Sequence, residues 1–268
     1  MSEIKAVFSI NAGRSGSQYL SRMLGSGKNC VAFHELNPSG FGQALVDYHR
    51  GDDRKMRDVA RVKYAFMETF FRKNLIYAET NHSFVKGFGW PLIEMMDQRS
   101  VAVITLRRDP EKIIESMIRV RSLPLSSTGK FYNLTPERLN PIVLPPTLFG
   151  LTPAASYSVG KLVAVPEKIL ARVKKLIFGY PIKRYVPLRR YQENIIRWYL
   201  RETVELEKLF KKRFPECVYI DLDIDDLNDS EKIVDLFGRL GIEWEEGDIT
   251  GVGIPANTKD RQKRKFLD

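Results

Sequence analysis

The residues just after the start of the chain are of the types that bind a phosphate group. An apolar run at residues 6–10 leads into a turn rich in glycine and serine. Beyond the turn, Leu20, Met23 and Leu24 recur at helical spacing. The backbone N–H groups at a helix start point outward, and the helix dipole favours negative charge there. The pattern therefore predicts an anion-binding loop, whose residues are Arg14, Ser15, Gly16, Ser17 and Gln18.

This loop differs from the Walker A loop of nucleotide phosphotransferases. That motif requires Gly-Lys followed by Ser or Thr, whose hydroxyl binds magnesium. The nearest fragment here is residues 25–28, but Asn29 follows Lys28 and supplies no hydroxyl. We interpret the glycines of this fragment as the end of the first helix. The loop is predicted to bind an anion without a magnesium ligand of that kind.

A second candidate anion site lies about ninety residues further on. Residues 101–107 form an apolar run typical of a buried parallel strand, and Arg108 follows it directly. Asp109 suits a helix N-cap and Pro110 the first helical position. Ser116 stands eight residues after Arg108. Since open α/β sheets bind ligands at the carboxyl ends of their strands, Arg108 and Ser116 are expected to contact one ligand.

Together the two loops resemble those of the sulfotransferase family that uses 3′-phosphoadenosine 5′-phosphosulfate (PAPS), in its soluble bacterial and cyanobacterial form. In that family the first loop binds the 5′-phosphosulfate, and here it is residues 14–18. The family's Arg-x-Pro motif, with Ser eight residues after the Arg, binds the 3′-phosphate. Here that motif is Arg108-Asp109-Pro110 with Ser116. The resemblance covers roughly the first 120 residues, and Gln18 stands where the family usually has a hydroxyl.

Two residues resemble the general base of such an enzyme. Glu35 follows a predicted strand at residues 30–33, and several branches of the family place a glutamate base there. His82 follows a predicted strand at residues 75–79, as the histidine base does in the cytosolic branch. Either residue could equally be an ordinary polar loop residue. Both remain candidates, with Glu35 favoured, and Glu79 is expected to add negative charge near the same cleft.

The resemblance implies transfer of a sulfuryl group from PAPS to a hydroxyl, amine or carbamoyl nitrogen of a small molecule, with adenosine 3′,5′-bisphosphate (PAP) as the second product and no metal. A guanidinium alkaloid of the saxitoxin type is one candidate acceptor in natural-product tailoring. Family members also fold a basic C-terminal segment over the 3′-phosphate. The residues here that correspond in charge are Arg261, Lys263 and Arg264.

Strands and helices must alternate along the chain to position these residues. This pattern predicts an α/β fold of three layers, like that of P-loop proteins, with a central parallel sheet between helices. The 268 residues suit a single domain. Residues 121–187 hold nine of the 14 prolines and are interpreted as an insertion or lid over the ligand edge. Inside it, residues 166–179 are predicted to form a short amphipathic helix.

The amino-acid composition limits the kinds of molecule that the protein is expected to bind. The net charge of +10 favours an anionic ligand, and the two cysteines, Cys30 and Cys217, are too few for a disulfide framework. The start of the chain lacks a signal-peptide pattern, and no apolar run approaches 18 residues. We therefore expect a cytoplasmic enzyme acting on a small molecule, with neither a membrane nor a nucleic acid as partner. The alternatives are a P-loop-like phosphotransferase and a basic nucleic-acid-binding module.

Overall fold

A computed structural model of the protein describes residues 3–126, 141–148, 150–178, 186 and 188–245, with the backbone alone for residues 166–178. Its centre is a parallel sheet in the order β2-β3-β1-β4-β5. The strands are β1 (Ala6–Ile10), β2 (Cys30–His34), β3 (Ile76–Thr80), β4 (Val101–Arg107) and β5 (Val218–Asp223). The predicted α/β class with a central parallel sheet is confirmed.

The helices of the described chain connect and cover these strands. They are α1 (Ser17–Leu24), α2 (Gln43–His49), α3 (Arg54–Phe71), α4 (Gly89–Ile93), α5 (Pro110–Val120), α6 (Pro153–Phe178), α7 (Arg189–Arg213) and α8 (Ser230–Leu240). Short 3₁₀ helices occupy Gln98–Ser100 and Ile224–Asn228. As predicted, Asp109 caps α5 by accepting a hydrogen bond from the Glu111 N–H, and Pro110 is its first residue.

Apolar side chains cover both faces of the sheet, which explains why its strands read as continuous apolar runs. One face packs against α1 and α8 through residues such as Leu20 and Phe237. The opposite face packs against α2, α3 and α7 through residues such as Met56 and Phe210. Helices therefore lie on both sides of the sheet, in the three layers expected from the sequence.

The parallel register brings the candidate functional residues to one edge of the sheet. Ser9 of β1 pairs with Thr80 of β3, and Thr80 also pairs with His34 of β2. Strands β1, β2, β3 and β4 thus end at the same edge. The chain builds the sheet on one side of β1 and then crosses to the other, so β1 lies where the strand order reverses. Ligands of open α/β sheets bind at such a reversal.

The long segment before α7 differs from its prediction. The helix predicted at residues 166–179 is the second half of α6, which begins thirteen residues earlier, at Pro153. Pro153 suits the first position of a helix, and alanine and leucine among the residues that follow favour its continuation. Reading Pro166 as a helix start was wrong because the helix has already formed before Pro166 and continues through it, although an interior proline loses one backbone hydrogen bond.

Two further sequence expectations concern cysteines and membrane spans. Cys30 and Cys217 are free and buried, as expected, and burial raises the pKa of each thiol to about 12. Among the described residues, no helix has both the length and the apolar composition that crossing a membrane requires.

Candidate active site

The loop between β1 and α1 makes a tight turn that presents the start of α1 to the end of the sheet. Arg14 and Gly16 take left-handed backbone conformations, with φ of 72° and 102°. A Cβ atom at Gly16 would lie 2.1 Å from Ile224 Cδ1, so a side chain has no room there. Among the side chains that the structure describes, none caps α1 at this end. Its first-turn N–H groups therefore face outward, as an anion site requires.

The two predicted anion-binding motifs contact each other directly. The Arg108 guanidinium donates a hydrogen bond to the Arg14 carbonyl oxygen, with an Nη1–O distance of 2.7 Å. Arg14 Nε donates to Ser116 Oγ at 3.2 Å. The structure thus brings together three residues that the sequence places up to 102 positions apart. Two guanidinium groups beside one loop favour a ligand with more than one negative charge.

Behind this loop lies a buried lysine that no sequence pattern singles out. Lys86 is 2% exposed, and its amine donates a hydrogen bond to the Tyr199 hydroxyl at 2.6 Å. The same hydroxyl oxygen accepts the Gly13 N–H at 3.1 Å. Lys86 Nζ also lies 3.3 Å from His82 Nδ1. Helix α7, through Tyr199, therefore supports the loop between β1 and α1 directly and His82 through Lys86.

Glu35 lies next to both histidines of the site. Its Oε1 atom is 3.6 Å from His82 Nε2 and 3.9 Å from His34 Nε2. His34 is held from its other ring nitrogen, because Nδ1 lies 3.0 Å from Thr80 Oγ1. Since Lys86 donates towards His82 Nδ1, the His82 proton belongs on Nε2, facing the Glu35 carboxylate. His82 is 1% exposed, whereas the Glu35 side chain is 26% exposed. Glu35 is thus the group that an acceptor can reach.

Burial shifts the pKa of each of these groups in the direction that favours its uncharged form. Burial raises the pKa of Glu35, although the positive charge of Lys86 acts in the opposite direction. Burial, followed by the charge of Lys86, holds the pKa of His82 well below its ordinary value. Burial also lowers the pKa of His34. At neutral pH both imidazoles are therefore uncharged, and Glu35 is more basic than an exposed glutamate.

Glu79 lies beneath the cleft rather than in its lining, and its negative charge acts to raise the pKa of both Glu35 and His34. Its carboxylate is buried and paired with the Lys63 ammonium, with N–O distances of 2.7 and 2.8 Å. The Tyr77 hydroxyl and the Asn81 amide donate to the same carboxylate. Lys63 also donates to the Leu36 carbonyl, one residue after Glu35, at 2.9 Å. The expected negative charge near the cleft is therefore present, but β3 directs this side chain into the protein, where its partners join two site loops.

A cavity of about 220 Å³ opens at this edge of the sheet. Both candidate bases, Glu35 and His82, line it. So do Gly13, Arg14, Gly16, Ser17, Gln18, His34, Arg108, Met117 and Ser122. Two predicted site residues do not: Ser116 is buried beneath Arg14, and Ser15 is 1% exposed and lines a separate cavity between β4 and α7. The predicted tail residues Arg261, Lys263 and Arg264 lie outside the described residues.

Lys86 and Tyr199 are the site residues that the sequence reasoning missed. His34 stands beside Glu35 at the end of β2, and the sequence itself marks this acid-base pair as a site candidate. Lys86 lies in a segment without periodicity, and Tyr199 resembles the other apolar-facing residues of α7. Only tertiary packing brings these two to the loop. In the described residues, no group of three or more metal-ligating side chains is found.

Comparison with known proteins gives matches only at the level of structure. No protein-family model matches the sequence, and no curated protein matches it significantly. The chain is similar to the sulfotransferase domain of the Synechococcus PCC 7002 olefin synthase, with a TM-score of 0.48 and 14% identity over 100% of this chain and 86% of that one. It is also similar to the sulfotransferase domain from the curacin biosynthetic pathway, with a TM-score of 0.47 and 13% identity over 96% of this chain and 80% of that one.

Proposed function

We propose that this protein is a PAPS-dependent sulfotransferase with Glu35 as its general base. The observation that carries the proposal is the cavity itself. It joins a phosphate loop with two arginines to a carboxylate whose pKa is raised. Such a site suits transfer of a charged group, because the arginines neutralise negative charge while the carboxylate accepts a proton.

The residues fit the two phosphate groups of the donor. The uncapped start of α1, with Arg14 and the Ser17 hydroxyl, suits the 5′-phosphosulfate. Arg108 follows the neighbouring strand and suits the 3′-phosphate, while Ser116 is buried and contacts Arg14 instead. A binding site for the 3′-phosphate would select PAPS over ATP, which lacks that group.

In the proposed reaction the acceptor's oxygen or nitrogen forms a bond to sulfur as the bond from sulfur to the phosphate oxygen breaks. The electron pair of the broken bond stays on the phosphate oxygen, where Arg14 neutralises the developing charge. The acceptor's proton passes to Glu35. His82 Nε2 lies 3.6 Å from Glu35 Oε1, so the imidazole stands beside the carboxylate that receives the proton. These groups position and neutralise the reactants, which is the main requirement of such a transfer.

The acceptor is proposed to be a small molecule with a hydroxyl or nitrogen nucleophile that reaches Glu35. The test is to incubate the protein with PAPS and pools of candidate acceptors, measuring PAP formation and, by mass spectrometry, the sulfated product. We expect PAP and sulfated acceptor to form in equal amounts, and Glu35→Gln to reduce both. Transfer of phosphate from ATP with magnesium, without any transfer from PAPS, would contradict the proposal.

A further inference from the structure

The outward side of α6 carries apolar side chains that nothing in the described chain covers. Leu162 is 71% exposed, Val163 45% and Val165 46%. We call these three residues the outer face of α6. The preceding loop adds further exposed apolar side chains at Ile142, Leu144 and Leu151. Exposed apolar residues clustered in one short segment indicate an interaction surface more strongly than single ones do.

The opposite side of the same helix is the one that packs on the protein. Tyr157 and Ala164 are fully buried, and the Tyr157 hydroxyl donates to the Pro124 carbonyl at 3.0 Å. Gly160 lies close to Leu125 and Tyr191. These positions recur at a spacing of three or four residues, so they form the inner stripe of the helix. The outer face therefore consists of apolar residues that lie outside the core of the described part of the chain.

The sequence continues this pattern through the rest of the helix. Apolar residues recur at helical spacing after Leu162, at Ile169, Val173 and Leu176. Basic residues recur along the same helix at spacings of seven, four and three residues. We call them the basic stripe: Lys161, Lys168, Arg172 and Lys175. An apolar face flanked by a basic stripe is typical of helices that lie in the surface of a membrane.

The charge of this part of the chain is strongly one-sided. Between residues 153 and 190 the sequence contains nine lysines and arginines but a single acidic residue, Glu167. Most of the net charge of +10 is therefore concentrated here. A second copy of the chain docked on this face would bring two such segments together against like-charge repulsion. An anionic lipid surface instead complements both the charge and the apolar residues.

We propose that the outer face of α6, with its basic stripe, docks the protein onto anionic membrane surfaces. The helix would lie in the headgroup region without spanning the membrane, so the sequence needs no apolar run of 18 residues. This proposal replaces the expectation that no membrane is a partner. It is independent of the proposed reaction, since it involves none of the residues that line the active-site cavity.

The test is co-sedimentation of the full chain with vesicles of phosphatidylcholine alone or mixed with phosphatidylglycerol. We expect binding to the anionic vesicles to exceed binding to the neutral ones by about tenfold or more, and to weaken with salt. Leu162→Ser with Val165→Ser should reduce it severalfold, as should Lys161→Glu with Lys168→Glu. Melting temperatures of the apolar pair should match the wild type, since both side chains are exposed.

Matched control variants distinguish binding through this surface from nonspecific binding through other exposed apolar or basic residues. Val62→Ser with Leu209→Ser removes two exposed apolar side chains on α3 and α7. Lys73→Glu with Lys212→Glu reverses two exposed charges elsewhere. The first control should leave vesicle binding unchanged, and the second should weaken it less than Lys161→Glu with Lys168→Glu. Three results would overturn the proposal: equal binding to neutral and anionic vesicles, binding to duplex DNA but not to vesicles, or a dimer that Leu162→Ser dissociates while vesicles bind nothing.

Discussion

At the scale of single residues, the site depends on a carboxylate held in a partly buried position beside neutral imidazoles. Glu35 stands at the end of β2 with a φ of 53°, in the left-handed region that ends the strand. Its backbone N–H still donates to the Thr80 carbonyl at 3.0 Å, so the residue is fixed to the sheet. Side-chain burial then raises its pKa towards the range in which a base is effective.

We predict that Glu35→Gln lowers kcat/KM on the order of 10²- to 10⁴-fold, because the amide cannot accept the proton. The wild-type pH profile should lose activity on the acid side at a pH above the ordinary glutamate range, since the raised pKa must be exceeded before the base is ionised. Glu115→Gln, at an exposed position of α5, is the matched control. An unchanged pH profile in Glu35→Gln would exclude Glu35 as the base.

The same pKa shift makes a prediction for stability. The folded protein binds the Glu35 proton more tightly than the unfolded chain, so stability falls as pH rises from the ordinary glutamate range through the raised value. At neutral pH this cost is present in full, and Glu35→Gln removes it. Thermal melting should show the variant more stable than the wild type at pH 7, with the difference vanishing near pH 4. A variant that is less stable at both pH values would contradict the shift.

The positive charge of Lys86 should affect the pKa of Glu35, the proposed base. Its ammonium lowers the pKa of Glu35, against the larger effect of burial. We expect Lys86→Met to raise that pKa further and to move the acid limb of the kcat/KM profile to higher pH. Lys112→Met, at an exposed position, should leave the limb in place. A shift to lower pH would show that Lys86 does not act on Glu35 electrostatically.

At the scale of elements, two loops are held together by a buried ion pair beneath the site. Lys63 of α3 binds Glu79 of β3 and the carbonyl of Leu36, which follows the candidate base. Both side chains of the pair are almost fully buried. Breaking such a pair from one side leaves an uncompensated charge in the interior.

We predict that Lys63→Met destabilises the protein by about 3–5 kcal/mol in urea unfolding. The double variant Lys63→Met with Glu79→Gln should be less destabilised, because no buried charge is then left unpaired. Lys73→Met, at an exposed position just beyond α3, serves as the control. Equal stability of the single and double variants would mean that the ion pair does not hold these elements together.

The phosphate loop gives a second test at this scale. Gly16→Ala places a methyl group on Ile224 and requires a left-handed backbone of a residue that disfavours it. We expect lower stability together with weaker binding of PAP. Gly238→Ala, at an open position in the last turn of α8, should instead stabilise by roughly 0.5–1 kcal/mol. Retained PAP affinity in a folded Gly16→Ala protein would show that the turn geometry is not needed for the anion.

The sequence predicts much at this scale because the signals are local. The apolar runs of β1 and β4, the turn glycines and the Asp109-Pro110 cap each follow from a few neighbouring residues. The start of α6 was missed because Pro166 and Pro153 give the same local signal. The roles of Lys86 and Tyr199, which are 113 residues apart, arise only when α7 packs on the sheet.

At the scale of the whole molecule, the parallel sheet explains why separate motifs form one site. Arg14, Glu35, His82 and Arg108 follow four different strands, and the strand order brings all of them to one edge. This convergence was predictable once the strands were read as parallel. The positions of the Glu79 and Ser15 side chains outside the cavity were not predictable. The direction of a side chain near a strand end depends on register and packing.

The central claim, a donor site for a nucleotide with phosphates on both the 3′ and 5′ positions, is tested most directly by thermal melting with PAP. At a hundred times its Kd, PAP should stabilise the wild type by about 2.7 kcal/mol. Arg108→Ala should abolish this stabilisation, and Arg119→Ala, which removes an exposed arginine on the following helix α5, should preserve it. Stabilisation by ATP with magnesium but not by PAP would contradict the account and favour a phosphotransferase.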